Sequence, residues 1–314
     1  TARIGTAIQG ICHAEASYQG ALAYARERRS MRALSGKKDT EATADALIWH
    51  ADVRRMLLTQ KAIAEGGRAM IYAAAQTSDI MFNAVLENDA AKHDKFEDTL
   101  GFYTPILKGF LTEMGLEAAN LGMQVFGGHG YIHEHGMEQI ARDARISTLY
   151  EGTTGIQALD LLGRKVLLGS KGKCVRDFTR IMMHFARPQL FARGPLGKMA
   201  RATMKRALEW NLLTLRIMLR AGKDRDLVGS SSVDYLMYSG YVMMGYFWAL
   251  QAAKADKLLA SGKGAESPEF YRAKIQTAEF YFERLLPRAD AHRQGALAAT
   301  RSLMQMDNGD FAFS

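Results

Sequence analysis

The sequence predicts an all-α protein. Proline stands at only five positions, Pro105, Pro188, Pro195, Pro268 and Pro287, and β-branched alternating runs are scarce while Ala, Leu, Met, Arg and Glu abound. Apolar residues also recur at helical spacing over long stretches. Val53, Met56, Leu57, Ile63 and Met70 share one stripe, and Val233, Leu236, Met237, Met244, Phe247 and Trp248 share another.

The first helix is expected at 3–32 and gives way to LSGKKDTEATAD at 34–45, a polar stretch that reads as a loop. The second, at 47–88, carries the Val53 stripe and stops before KHDKFED around Lys92, which reads as a turn. A third at 98–126 ends on the pair Gly127 and Gly128, as helices commonly end on glycine. Helices at 136–147 and 153–168 follow, separated by a short break that holds Tyr150, Glu151 and Gly152. The hydroxyl of Thr153 is placed to begin the second of these. Gly and Lys then interrupt the pattern in GSKGK at 169–173, dividing a domain at 1–168 from one at 169–314. Beyond that seam helices are expected at 172–192, 197–222, 231–261 and 267–299. Leu208, Asn211, Leu215 and Met218 read as the packing face of the second of these, and Tyr271, Ala278, Phe282 and Leu285 as that of the last.

At 314 residues and 48% apolar content the chain can bury a substantial core. Its formal net charge of +8 favours an anionic partner, but the basic residues form no continuous run. A phosphate-bearing small molecule therefore fits better than a nucleic acid. Two cysteines, Cys12 and Cys174, give neither a disulfide framework nor a Cys-rich metal site, and imply a reducing, cytoplasmic setting. No apolar run approaches the roughly 20 residues needed to span a bilayer. Thr1 already lies inside a helical pattern, so the chain is expected to be part of a longer protein.

The densest chemistry lies at 127–157, GGHGYIHEHGMEQIARDARISTLYEGTTGIQ. One carboxylate, Glu151, is isolated there in a break between helices. His129, His133, Glu134 and His135 lack the i, i+4 spacing of helical metal ligands and have no Cys beside them, so no metal site is assigned. Arg142, Asp143 and Arg145 are expected to form an ion-pair cluster that fixes the segment leading to Glu151.

Three ordered motifs carry a family resemblance: YARERRSMRAL from Tyr24, WHADVRRMLL from Trp49, and GMQVFGGHGY through RDARISTLYEGTTGIQ. Together they resemble the all-helical C-terminal half of the acyl-CoA dehydrogenases. The resemblance covers roughly residues 1–168, and the block from Lys171 to Ser314 resembles the extra helical domain of the longer bacterial members. The implied fold is an up-down helical bundle of that type plus a second helical bundle.

The implied reaction removes a proton from the carbon alpha to a thioester and passes a hydride from the beta carbon to FAD, as in the β-oxidation of fatty acids. The Glu of Tyr-Glu-Gly-Thr is the family base, which is Glu151 here. Shut away from water beside an acyl chain, such a carboxylate would have its charged form disfavoured and its basicity raised. Some relatives carry the base on the earlier helix; Glu15, the first acid there, lies well downstream of that position. The resemblance further implies that Arg28 and Ser30 reach the diphosphate of the FAD held by a neighbouring subunit, with His50 near the same cofactor. It places Gln124, Gly127 and Gly128 at the adenosine end, and Thr153, Thr154 and Gly155 near the flavin. Arg3, Tyr150 and Gly152 fall on the substrate side, where Gly152 lets backbone approach the thioester. The implied partners are an acyl-CoA, an electron-transferring flavoprotein and further copies of the chain in a homodimer or homotetramer, and this part alone is expected to be inactive. An acyl-CoA oxidase and a non-catalytic helical module for assembly or nucleic-acid binding remain the alternatives.

Overall fold

A computed structural model describes residues 2–312, and helix is the only extended regular structure among them. Three long helices form the frame: α1 (Ala2–Glu27), α2 (Ala51–Leu86) and α3 (Ala90–Phe126). The buried positions of α1 include Ala7, Gly10, Ala14, Ser17, Ala21 and Ala25, a seam of small residues at three- and four-residue intervals. Such a seam lets another backbone come close. α3 answers with Gly115, Ala118 and Gly122, and a Cβ added at Gly115 would lie 2.3 Å from the Gly10 carbonyl oxygen. Ser17 meets the Ala118 carbonyl at 3.0 Å and Tyr24 stacks on Phe126, so α1 and α3 run parallel. α2 runs antiparallel to both, its Gln60 beside Ser17 and its Gly67 beside Ile11.

Several boundaries differ from expectation for local reasons. α3 starts eight residues earlier than the pattern suggests, because the Asp89 carboxylate accepts from the Lys92 N–H and caps it. KHDKFED is therefore helical, and the turn lies at Glu87 to Asp89. α1 stops at Glu27 rather than Arg32, and residues 28–46 fold back so that Arg29 pairs antiparallel with Ala46. The buried Asp45 organises that loop, accepting from the N–H groups of Ala33, Lys38 and Asp39 and from Arg32. Those donors hold its carboxyl well below the usual carboxylate range.

After α3 come α4 (Gly128–Tyr131), α5 (Met137–Ser147) and α6 (Thr154–Leu159), the last continuing as a wider π-helical stretch over Asp160–Gly169. α7 (Lys173–Ala186), α8 (Gly194–Ala221), α9 (Asp226–Ser261), α10 (Pro268–Phe280), α11 (Arg288–Ala296) and α12 (Arg301–Met304) complete the chain. The single helix expected at 267–299 is broken. Residues Tyr281–Leu285 widen into a π turn, and Pro287, which has no N–H to continue the ladder, precedes a fresh start at Arg288.

α9 is the hub, buried along its middle from Tyr235 to Tyr246. It packs on α8, α10 and α11 and also on α2, α3 and α6. One hydrophobic core consequently runs through both halves of the sequence, from Ala7 to Ala296. Trp248 donates to the Ala62 carbonyl at 3.1 Å, and Phe110 fills the space left by Gly240. Ion pairs Glu117–Arg288 and Glu65–Lys274, each 2.8 Å, reinforce the junction. On α8 the core face is Met199, Ala207, Trp210, Leu213 and Ile217, while Leu208 and Leu215 of the expected stripe are exposed. Leucines at 208, 212, 215 and 219 also recur at helical spacing on the exposed side, so spacing alone favours the wrong stripe. Among the described residues no helix is long and apolar enough to cross a membrane.

Candidate active site

Between α5 and α6 the chain reverses in a tight turn. Glu151 sits there at φ 57° and Gly152 at φ 90°, both left-handed. For an L residue that conformation costs about 1–2 kcal/mol, so surrounding contacts must hold Glu151 in it. Gly152 suits the left-handed conformation, and a Cβ at its position would press on the Gln157 side-chain amide, 2.6 Å from Nε2. Immediately afterwards Thr153 caps α6, its hydroxyl accepting from the Ile156 N–H.

The contacts that hold the turn come from three helices. From α3, the wholly buried Lys108 donates its ammonium to the carbonyls of Gly152 at 2.7 Å and Thr148 at 3.3 Å. From α6, Gln157 Nε2 donates to the Glu151 carbonyl at 2.9 Å. From α1, Arg3 donates to Gln157 Oε1 at 3.2 Å and pairs with Asp160 at 2.7 Å. Burial works against the Asp160 charge, but Arg164 and Arg3 together hold its carboxyl below the usual range. Tyr150 bonds through its hydroxyl to Gln9, and Thr154 to Glu113.

Arg3, Glu151, Gly152, Ile156, Gln157, Leu159, Asp160 and Arg164 line an open cavity of about 510 Å³ at this turn. Ile156 and Leu159 are 56% and 43% exposed, so the carboxylate stands beside apolar surface. It is not enclosed, however. The expectation that Glu151 is shut away from water is not met within residues 2–312, where its side chain is exposed.

A second cluster lies at the other end of α1. Nε2 of His50 donates to the Ser30 carbonyl at 2.9 Å, and the Arg28 carbonyl accepts from Leu47 N–H at 2.9 Å. The Arg28 side chain is exposed and pairs with no carboxylate among the described residues. Tyr24, stacked on Phe126 and bonded to His129 at 2.8 Å, brings the end of α3 alongside. Gln124, Gly127 and Gly128 are exposed there, and a Cβ at either glycine would meet nothing within 4 Å. At 1.5 Å rise per residue, Arg3 and Arg28 are about 37 Å apart. The structure thus gathers the expected site residues into two groups at opposite ends of α1: Arg3, Tyr150, Glu151, Gly152, Thr153, Thr154 and Gly155 at one, the remainder at the other.

Other expectations are corrected. Arg142, Asp143 and Arg145 make no ion pair with one another among the described residues; Arg145 donates to Thr148 Oγ1 and Asp143 accepts from Gln139. Glu15, which is not the expected base, is engaged by Arg68 and Gln19. Sequence reasoning passed over Lys108, Gln157, Asp160 and Glu113. Only Lys108 left a signal, a lone cation in the apolar run between Ile106 and Leu111.

Residues 1–167 match the family model described as the acyl-CoA dehydrogenase C-terminal domain, and residues 176–307 match that described as acetyl-CoA dehydrogenase C-terminal like. The chain is 38% identical over 304 residues to a 3-methylmercaptopropionyl-CoA dehydrogenase of Ruegeria pomeroyi, covering 93% of this chain and 48% of that protein. It is 31% identical over 323 residues to a broad-specificity linear acyl-CoA dehydrogenase of Mycobacterium tuberculosis, covering 99% of this chain and 51% of that protein. The chain therefore spans about half the length of the relatives it matches. Its fold is similar to a crystal structure of an acyl-CoA dehydrogenase complexed with FAD from Bacillus anthracis, with TM-score 0.71 at 16% identity over 98% of this chain and 49% of that one. On these matches, along nearly its full length, the chain belongs to the acyl-CoA dehydrogenase family, whose C-terminal helical part it represents.

Proposed function

We propose that the protein containing this chain is an FAD-dependent acyl-CoA dehydrogenase in which Glu151 removes the alpha proton of an acyl-CoA thioester, leaving a trans-2-enoyl-CoA. The observation that carries this reading is the strained, left-handed Glu151, held at the mouth of a partly apolar cavity by contacts from three helices. Strained backbone held by surrounding contacts clusters at active sites and ligand clamps. The acyl chain would lie along Ile156 and Leu159, and the open side of the turn is where the rest of the protein would exclude water from the carboxylate.

The residues present fit FAD. Arg28, with no carboxylate partner among the described residues, suits a bidentate bond to the diphosphate, beside the Ser30 hydroxyl and His50. Bare backbone at Gly127 and Gly128, with Gln124 beside it, leaves room for a flat ring. At the other end Thr153, Thr154 and Gly155 begin α6 close to Glu151. When bound, FAD supplies the hydride acceptor. Because the two groups stand about 37 Å apart along α1, more than one dinucleotide spans, they would serve different flavins, which supports a homo-oligomer. An electron-transferring flavoprotein is the acceptor proposed for the reduced enzyme; an oxidase would instead be reoxidised by air at a comparable rate.

The test is the full-length Glu151→Gln variant with a panel of acyl-CoAs. Flavin reduction is expected to fall by about 10²–10⁴-fold while acyl-CoA binding persists. Reduction at the normal rate would move the base to another residue.

A further inference from the structure

Lys108 stands in the middle of α3 with none of its surface exposed, in a stretch where Ile106, Leu107, Phe110 and Leu111 are buried as well. Enclosure of an ammonium there disfavours its charged form; desolvation holds its pKa below the ordinary lysine range, with Glu113 and Glu151 pulling the other way. Packing alone does not call for a cation, since methionine would fill the same space without that penalty. The explanation lies in what the ammonium touches. It reaches the carbonyls of Thr148 and Gly152, which bracket Glu151 along the chain. It does not line the cavity at Glu151, so it has no path to a substrate there.

We propose that Lys108 is a positioning residue: its buried ammonium ties the backbone on both sides of Glu151 to α3, and so fixes the left-handed turn and the direction of the carboxylate. The proposal rests on Glu151 being the base. Without the lysine, two carbonyls lose their charge-assisted partner and a residue that prefers φ < 0 is free to relax. Gln157 holds only the Glu151 carbonyl closely, lying 3.5 Å from that of Gly152, so it does not replace the clamp.

The experiment is Lys108→Met in the full-length flavin-loaded protein, with acyl-CoA affinity read from the flavin absorbance and flavin reduction measured in a single turnover at saturating acyl-CoA. Reduction should slow by about 100-fold, as for a reacting group displaced by an ångström, while the dissociation constant stays within about threefold. A flavin-loaded variant that reduces within about twofold of the wild-type rate overturns the proposal. If Lys108→Met takes up no flavin, Lys108→Leu, which also removes the donor, is read by the same criterion; loss of flavin in both variants makes the lysine structural support and also overturns it. Glu151→Gln measured alongside separates the two claims. A fast Glu151→Gln defeats the base assignment, whereas a slow Glu151→Gln beside a fast Lys108→Met defeats only the positioning role.

Discussion

Replacing Glu151 by glycine and by alanine should separate its backbone from its chemistry. Both substitutions remove the carboxylate, so both should abolish proton abstraction equally. Alanine keeps the cost of a left-handed L residue at φ 57°, about 1–2 kcal/mol, whereas glycine adopts that conformation freely. Glycine also gains freedom in the unfolded chain, which offsets about 0.4–1 kcal/mol of the benefit. Glu151→Gly should therefore be more stable than Glu151→Ala by about 1 kcal/mol, or about 2 °C in melting temperature. Calorimetry on the flavin-free proteins in one buffer measures this directly. An alanine variant as stable as the glycine variant would show that the turn carries no strain, and the case for a residue held against its preference would collapse.

Elsewhere, Gly115→Ala would drive a methyl toward the Gly10 carbonyl at 2.3 Å, where only movement of α1 from α3 relieves the clash; a loss of about 3 kcal/mol is expected in denaturant unfolding, and an unchanged midpoint would contradict the close crossing. Asp45→Asn should loosen the loop that carries Ser30, and exchange of the Ala33, Lys38 and Asp39 amides should quicken about tenfold. The sign of the pH dependence follows from the same bonds. The native Asp45 carboxyl is held below its unfolded value, so its contribution is complete above about pH 4 and fades only as the pH falls toward that lower value. Amide protection in the loop should thus survive at pH 4; its loss there would argue against the hydrogen-bonded carboxylate.

The sequence alone determined the class of fold and the identity of the chemical segment. Helical spacing, sparse proline and the run through Tyr150, Glu151 and Gly152 are properties of neighbours along the chain, and they survive in the structure as α2, α3, α9 and the turn. Boundaries set by local groups were only partly legible: Asp89 and Pro287 act through single hydrogen bonds gained or missing, which periodicity does not register. Tertiary structure decided what depends on distance through space. It chose the inner face of α8 over the one that carries Leu208 and Leu215, ran one core through both halves of the sequence, and stationed the expected diphosphate and adenosine residues at the opposite end of α1 from Glu151 and the expected substrate residues. It also put Lys108 beneath a turn some forty residues away in sequence. A lysine inside an apolar stripe declares only that it needs acceptors; which carbonyls provide them is settled when α3, α5 and α6 pack together, because a buried ammonium must find its partners wherever the fold brings them.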